Sequence, residues 1–290
     1  VIRFLKDKAH ILFLILFFAT FSPFIIRFFD DDKMTSSSNE RFTPSLIRLN
    51  SMEKIVSYTD SLYSLHNKTQ FDTSLYVKTV SDVIKERFVH GNLNYKFSEN
   101  WIAYLAGKLF WDHMSSVVLP EDILKHEIGL CSQQTIVMMN ALRARNINVR
   151  SVGLGYKEGP GHFLCEINYK GSWHLHDVSV EPMWAKLAND HCSLEYYLSK
   201  KDSLYVAYET RIPKETFYKL LEKNVYGEVN KMPAANMSLF HKTTFMLAYF
   251  LPACFLLLFI RSIRRRSSVK KEFSIPTQNT EEEKERLIAY

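Results

Sequence analysis

Two runs of uncharged, apolar residues constrain this 290-residue chain more than any other feature. The first, residues 11–26, carries no charge, and Phe28 and Phe29 extend it beyond Arg27. About twenty apolar residues in a helix cross the hydrocarbon core of a bilayer, so residues 11–29 are expected to span one. Pro23 is compatible with this, because a bend near one end of a span is tolerated. A cleaved signal peptide is the rival reading, but no small-x-small cleavage site follows the run, and an uncleaved anchor is expected. The second run, residues 243–260, is apolar on every face, whereas a helix on the surface of a globular domain keeps a polar side.

Charge then orients the spans. Arg3, Lys6 and Lys8 precede the first, while Arg261, Arg264, Arg265, Arg266, Lys270 and Lys271 follow the second. Positive residues beside a span stay in the cytoplasm, so both termini are expected inside and the region between the spans outside, in the periplasm if the cell is Gram-negative. With the ends set aside, the +6 net charge of the whole chain falls to +1 for the centre. No basic stripe remains to serve a nucleic acid.

These signals divide the chain into a cytoplasmic N-terminus (1–10), a transmembrane helix (11–29), a linker (30–45), an extracytoplasmic domain (46–240), a second transmembrane helix (243–260) and a basic, polar cytoplasmic tail (261–290). Within the domain, Ile47, Ile55, Leu62, Tyr76, Val80, Val83, Ile84 and Phe88 recur at spacings of three, four and seven, which predicts amphipathic helices before Gly91. A further helix is expected within 99–115, with Trp101 and Trp111 as core anchors.

From Gly129 onward the pattern becomes chemical. Cys131, Thr135, Met138, Met139 and Leu142 share one face of a helix that begins at the cysteine. Asn146 is a suitable left-handed stop, and the branched apolar residues of 147–154 predict a strand. A polar turn at 157–161 leads into two strands joined at Lys170 and Gly171. With a two-residue turn Tyr169 opposes Ser172, Leu164 opposes Asp177 and His162 opposes Ser179. His162 and Asp177 are then diagonal neighbours on one face, roughly 7–8 Å apart at the backbone. His174 and His176 point to the other face and are expected to be exposed there.

A thiol attacks as thiolate, and a helix N-terminus with an adjacent imidazolium favours that form. Cys131 has the helix start, His162 can supply the imidazolium, and Asp177 can hold the tautomer and orientation of the imidazole. Taken together, the run from GLCSQQ through GHFLCEINYKGSWHLHDVSVEP resembles the transglutaminase-like superfamily of papain-like cysteine enzymes. The resemblance covers about residues 126–183. It implies an α+β fold in which N-terminal helices pack on a small antiparallel sheet, here flanked by two transmembrane helices. It further implies Cys131 as nucleophile, His162 as general base and acid, and Asp177 as the orienting residue, with no cofactor and no catalytic metal. The paired zinc cysteines of the related peptide N-glycanases are absent from this sequence.

The implied activity is cleavage or transfer of acyl groups at amide bonds of extracytoplasmic proteins or peptides, through a thioacyl intermediate on Cys131. Two alternatives stay open at this point. One is a catalytically inactive domain of the same fold that binds an extracytoplasmic protein or envelope partner. The other is a metal-binding domain using Cys165, His174 and His176, which alternation places on one face. Cys254 falls in the second span, leaving Cys131, Cys165 and Cys192 outside, an odd number that keeps one thiol free in a monomer and allows an optional Cys165–Cys192 bridge.

Overall fold

The computed structural model describes residues 2–29, 42–66, 70–155, 161–180, 182–184, 191–208 and 212–273. Most of the expected linker, most of the 157–161 turn and the end of the expected cytoplasmic tail lie outside these residues. The chain is of mixed α+β class and divides into two compact units.

The first unit comprises Val1–Asp31, Lys96–Leu105 and Lys242–Tyr290. It contains α1 (Ile2–Ile26), much of α10 (Ala235–Phe273) and the first part of α4 (Phe97–Leu109). Both α1 and α10 include stretches long and apolar enough to cross a membrane, by length and composition. In α1 the Thr20 hydroxyl donates to the Leu16 carbonyl at 2.7 Å. Asn100, whose extended backbone interrupts α4, donates from its buried carboxamide to the Thr244 hydroxyl at 2.9 Å. Burial of an unpartnered amide would cost on the order of 1–3 kcal/mol.

The second unit comprises Asp32–Tyr95 and Ala106–His241. Helices α2 (Met52–His66) and α3 (Thr73–Arg87) take up the apolar repeat of the sequence. Asp72 caps α3, its carboxylate accepting the Ser74 and Leu75 N–H groups at 2.8 and 3.3 Å, as an N-cap should. A four-stranded antiparallel sheet has the order β5-β4-β3-β6, formed by β3 (Val149–Leu154), β4 (His162–Tyr169), β5 (Ser172–His176) and β6 (Asn224–Tyr226). A separate parallel pair joins β1 (Val89–His90) to β2 (Ile128–Gly129).

The sheet is covered on both faces. Helix α6 (Cys131–Arg143) packs against β3 and β4 on one side and against α2 and α3 on its own far side. It is therefore buried more widely than one stripe, with Ile136, Val137 and Ala141 joining Thr135, Met138, Met139 and Leu142 in the core. On the opposite face, Leu164, Leu175, Val152 and Leu154 pack with residues of α7 (Leu194–Leu198), α8 (Lys201–Tyr208) and α9 (Lys214–Glu222).

The hairpin register is the one the turn length predicts. Tyr169 pairs with Ser172 and Cys165 with His176, and Lys170 and Gly171 both have positive φ, 50° and 78°. That backbone is what a primed two-residue turn needs to match strand twist. Asn146 also has positive φ, 56°, ending α6 as expected.

Two expectations are corrected. His176 is only 3% exposed, because it shares a face with Cys165, against which Met138 of α6 packs, and its ring stacks on that of His191 at 4.2 Å. Trp111 is no core anchor: it is 58% exposed, beyond the end of α4. The bridge left optional between Cys165 and Cys192 is not formed, and all four cysteines are free thiols.

Candidate active site

The loop before Cys131 is fixed by buried polar side chains. The Gln133 carboxamide accepts the Leu130 N–H at 2.8 Å and donates to the Leu93 and Val117 carbonyls at 2.7 and 2.9 Å. Gln134 donates to the Gly129 carbonyl at 2.8 Å. Upstream, the fully buried Arg87 guanidinium binds the Leu124 and His126 carbonyls at 2.8 and 3.0 Å. Each of these bonds is modest alone. Jointly they hold the chain so that α6 begins at Cys131, whose thiol is half-buried.

Helix α6 is pinned to β4 by the Thr135 hydroxyl, which donates to the Phe163 carbonyl at 3.2 Å. This places the helix start beside the start of the strand, where His162 stands. The imidazole donates from Nε2 to Asp177 Oδ2, which leaves Nδ1 for the Cys131 thiol, with which His162 also interacts. Cys131, His162 and Asp177 are thus brought together, in that order.

Asp177 follows β5 and is 2% exposed. Its Oδ1 accepts the Ser179 and Val180 N–H groups, both at 3.1 Å, and the Ser179 hydroxyl at 3.2 Å. Its Oδ2 accepts the Tyr208 hydroxyl at 3.0 Å besides His162. Burial pushes this carboxyl up, but the His162 charge and these donors prevail and hold it below the ordinary carboxylate value.

The same competition decides the other two groups. Burial favours neutral His162, but Asp177 and the thiol raise its pKa above the ordinary imidazole value. Burial also disfavours the Cys131 thiolate, yet the His162 hydrogen bond, its charge and the Phe163 N–H lower the thiol pKa despite the opposing charge of Asp177. A thiolate–imidazolium pair is the form these surroundings favour.

Sequence reasoning missed two neighbours. Tyr208, from the end of α8, reaches Asp177 from 31 residues away. His90, paired with Gly129 across the β1–β2 ladder, interacts electrostatically with both His162 and Asp177. Neither position carries a motif. A two-residue parallel ladder offers no periodicity from which to infer it.

The alternative metal set does not assemble. Cys165 is fully buried, and burial drives its thiol pKa far up, against ionisation. Both His174 ring nitrogens face backbone carbonyls, those of His191 at 2.7 Å and Tyr169 at 3.1 Å. Among the described residues no group of three or more His, Cys, Asp or Glu could hold a metal ion.

No protein-family model matches the chain, and no curated protein matches it. Among solved structures it is similar to a crystal structure of a TGase, with a TM-score of 0.29 and 16% sequence identity over 56% of this chain. The match spans 37% of that chain's length.

Proposed function

We propose that this protein is a membrane-tethered, transglutaminase-like cysteine enzyme that cleaves or transfers acyl groups at amide bonds of extracytoplasmic proteins or peptides. The observation that carries the reading is the His162 imidazole, shared between Asp177 and the Cys131 thiol. An orienting carboxylate, an imidazole and a thiol at a helix start are the parts nucleophilic thiol catalysis requires.

In this reaction the Cys131 sulfur attacks the substrate carbonyl carbon, and the carbonyl π electrons move to oxygen. The Cys131 backbone N–H, at the helix start, donates to that oxygen in this reading. As the intermediate collapses, the carbon–nitrogen bond breaks and His162 gives its proton to the departing amine, leaving a thioester on Cys131. His162 then takes a proton from water, or from a second amine, which attacks the thioester and releases the Cys131 thiolate, restoring the thiolate–imidazolium pair. Water gives hydrolysis and an amine gives acyl transfer. The helices α1 and α10 tether the domain to the bilayer, with both termini cytoplasmic by the basic flanks.

The test is the rate of Cys131 alkylation by iodoacetamide against pH, read by mass spectrometry on the full chain in detergent. The midpoint is expected below the free-thiol value of about 8.5, and His162→Ala should move it upward. A Cys131 that labels no faster than Cys192, with no response to His162→Ala, overturns the reading.

A further inference from the structure

The oxygen of a tetrahedral intermediate needs more than one donor in most acyl-transfer sites, and the Cys131 N–H is one. The second has to come from an element beside the start of α6. Strand β1 is such an element: His90 pairs with Gly129, and only Leu130 separates Gly129 from Cys131. From the spacing of paired strands and the rise along them, the His90 and Cys131 Cα atoms lie about 8 Å apart, a gap that an imidazole and a substrate oxygen fill together. Val89 is buried but the His90 side chain is open to solvent, so the ring stands on the accessible side of the ladder. It is near enough to His162 and Asp177 to feel the charge of each.

We infer that His90 is a catalytic hydrogen-bond donor of this site, giving an imidazole N–H to the oxygen that becomes anionic when the Cys131 sulfur adds to a carbonyl. This rests on the thiol chemistry proposed above. His162 already holds the proton-transferring position, with Asp177 on one nitrogen and the thiol on the other. Partial burial of the His90 ring, followed by the charge on His162, keeps its pKa below the ordinary imidazole value, with Asp177 opposing. A neutral imidazole still has one N–H to donate. Among the described residues no hydrogen bond occupies the ring, which leaves that N–H available.

Two reagents separate this role from a general effect on the thiol. Acylation by p-nitrophenyl acetate passes through a tetrahedral oxyanion, whereas alkylation by iodoacetamide displaces iodide at a saturated carbon and forms none. Both rates are read at Cys131 by mass spectrometry on the full chain in detergent, for wild type, His90→Ala and His90→Gln. His90→Ala should slow acylation roughly a hundredfold and leave alkylation within about twofold. His90→Gln, which retains an N–H donor, should recover part of the loss. Acylation unchanged in His90→Ala, or acylation and alkylation falling together in both variants, overturns the assignment to His90 while leaving the thiol reading standing. A wild-type Cys131 that reacts with neither reagent faster than Cys192 overturns both.

Discussion

His162 and His176 stand on the same hairpin with their side chains on opposite faces, and their surroundings drive their protons in opposite directions. Among the described residues, no carboxylate sustains a charge on His176. Burial, followed by the charges of His191, His174 and Lys85, keeps it neutral. His162 also loses solvent, yet Asp177 and the thiol make its charged form the favoured one. Burial therefore does not decide the charge of a histidine in this fold; the partner does. One face of the hairpin has a partner that sustains charge beside a nucleophile, and the other has rings that stack and fill space.

The change that should break this contrast most severely is Asp177→Asn. It removes the partner and leaves His162, like His176, buried without a carboxylate to sustain its charge. The imidazole also loses the acceptor that fixes its tautomer, for which a comparable amide substitution in a catalytic triad costs about ten-thousandfold. Acylation of Cys131 at neutral pH is expected to fall by roughly a thousandfold or more, with the Cys131 alkylation midpoint moving up. Near-wild-type acylation in a folded Asp177→Asn protein, with folding checked by circular dichroism, would assign Asp177 to structure alone.

A second measurement sharpens the contrast through the pH dependence of stability. His176 takes up a proton in the unfolded chain near pH 6.5 but resists it when folded, so it lowers stability as pH falls below 6.5. His162 has the opposite sign: its contribution is complete below pH 6.5 and is lost as pH rises through its raised folded value. His176→Phe keeps a ring to stack on His191 and removes the titration. It should recover up to about 2 kcal/mol of the stability lost between pH 6.5 and 5, seen as a flatter acid limb in urea midpoints. Cys131 alkylation should not change. An unaltered acid limb, or a changed thiol rate, would show that the two faces do not act separately.

The hairpin was legible because a two-residue turn fixes register, and register fixes which of its residues are diagonal neighbours. His162 and Asp177 follow from the Lys170–Gly171 turn in this way. The start of α6 was legible from the spacing of Thr135, Met138, Met139 and Leu142 behind Cys131. Alternation also put His176 on the correct side of the hairpin, but it says nothing about whether a third layer covers that side. The cover comes from α6 and from His191, through contacts between distant segments. His90 and Tyr208 were illegible for the same reason, since one arrives through a two-residue ladder and the other from a helix end. Trp111 was misread because aromatic size suggests burial without dictating it.

Tyr208 gives the smallest expected effect and the finest test of how the partner works. Its hydroxyl shares Asp177 Oδ2 with His162, and the Ser179 N–H, Ser179 hydroxyl and Val180 N–H hold Oδ1. Tyr208→Phe removes one donor and leaves the ion pair and the Oδ1 clamp in place. One hydrogen bond to a buried charge contributes about 1.5 kcal/mol, so a loss of that order is expected in the urea midpoint. Because the remaining donors still favour an ionised Asp177, His162 should stay charged and Cys131 acylation should fall only about threefold or less, consistent with one weakened bond among several. A loss as large as that from Asp177→Asn would mean that Tyr208, rather than the charge of the carboxylate, holds His162 in line. No change in either stability or rate would mean that the Oδ1 clamp alone is enough to position Asp177.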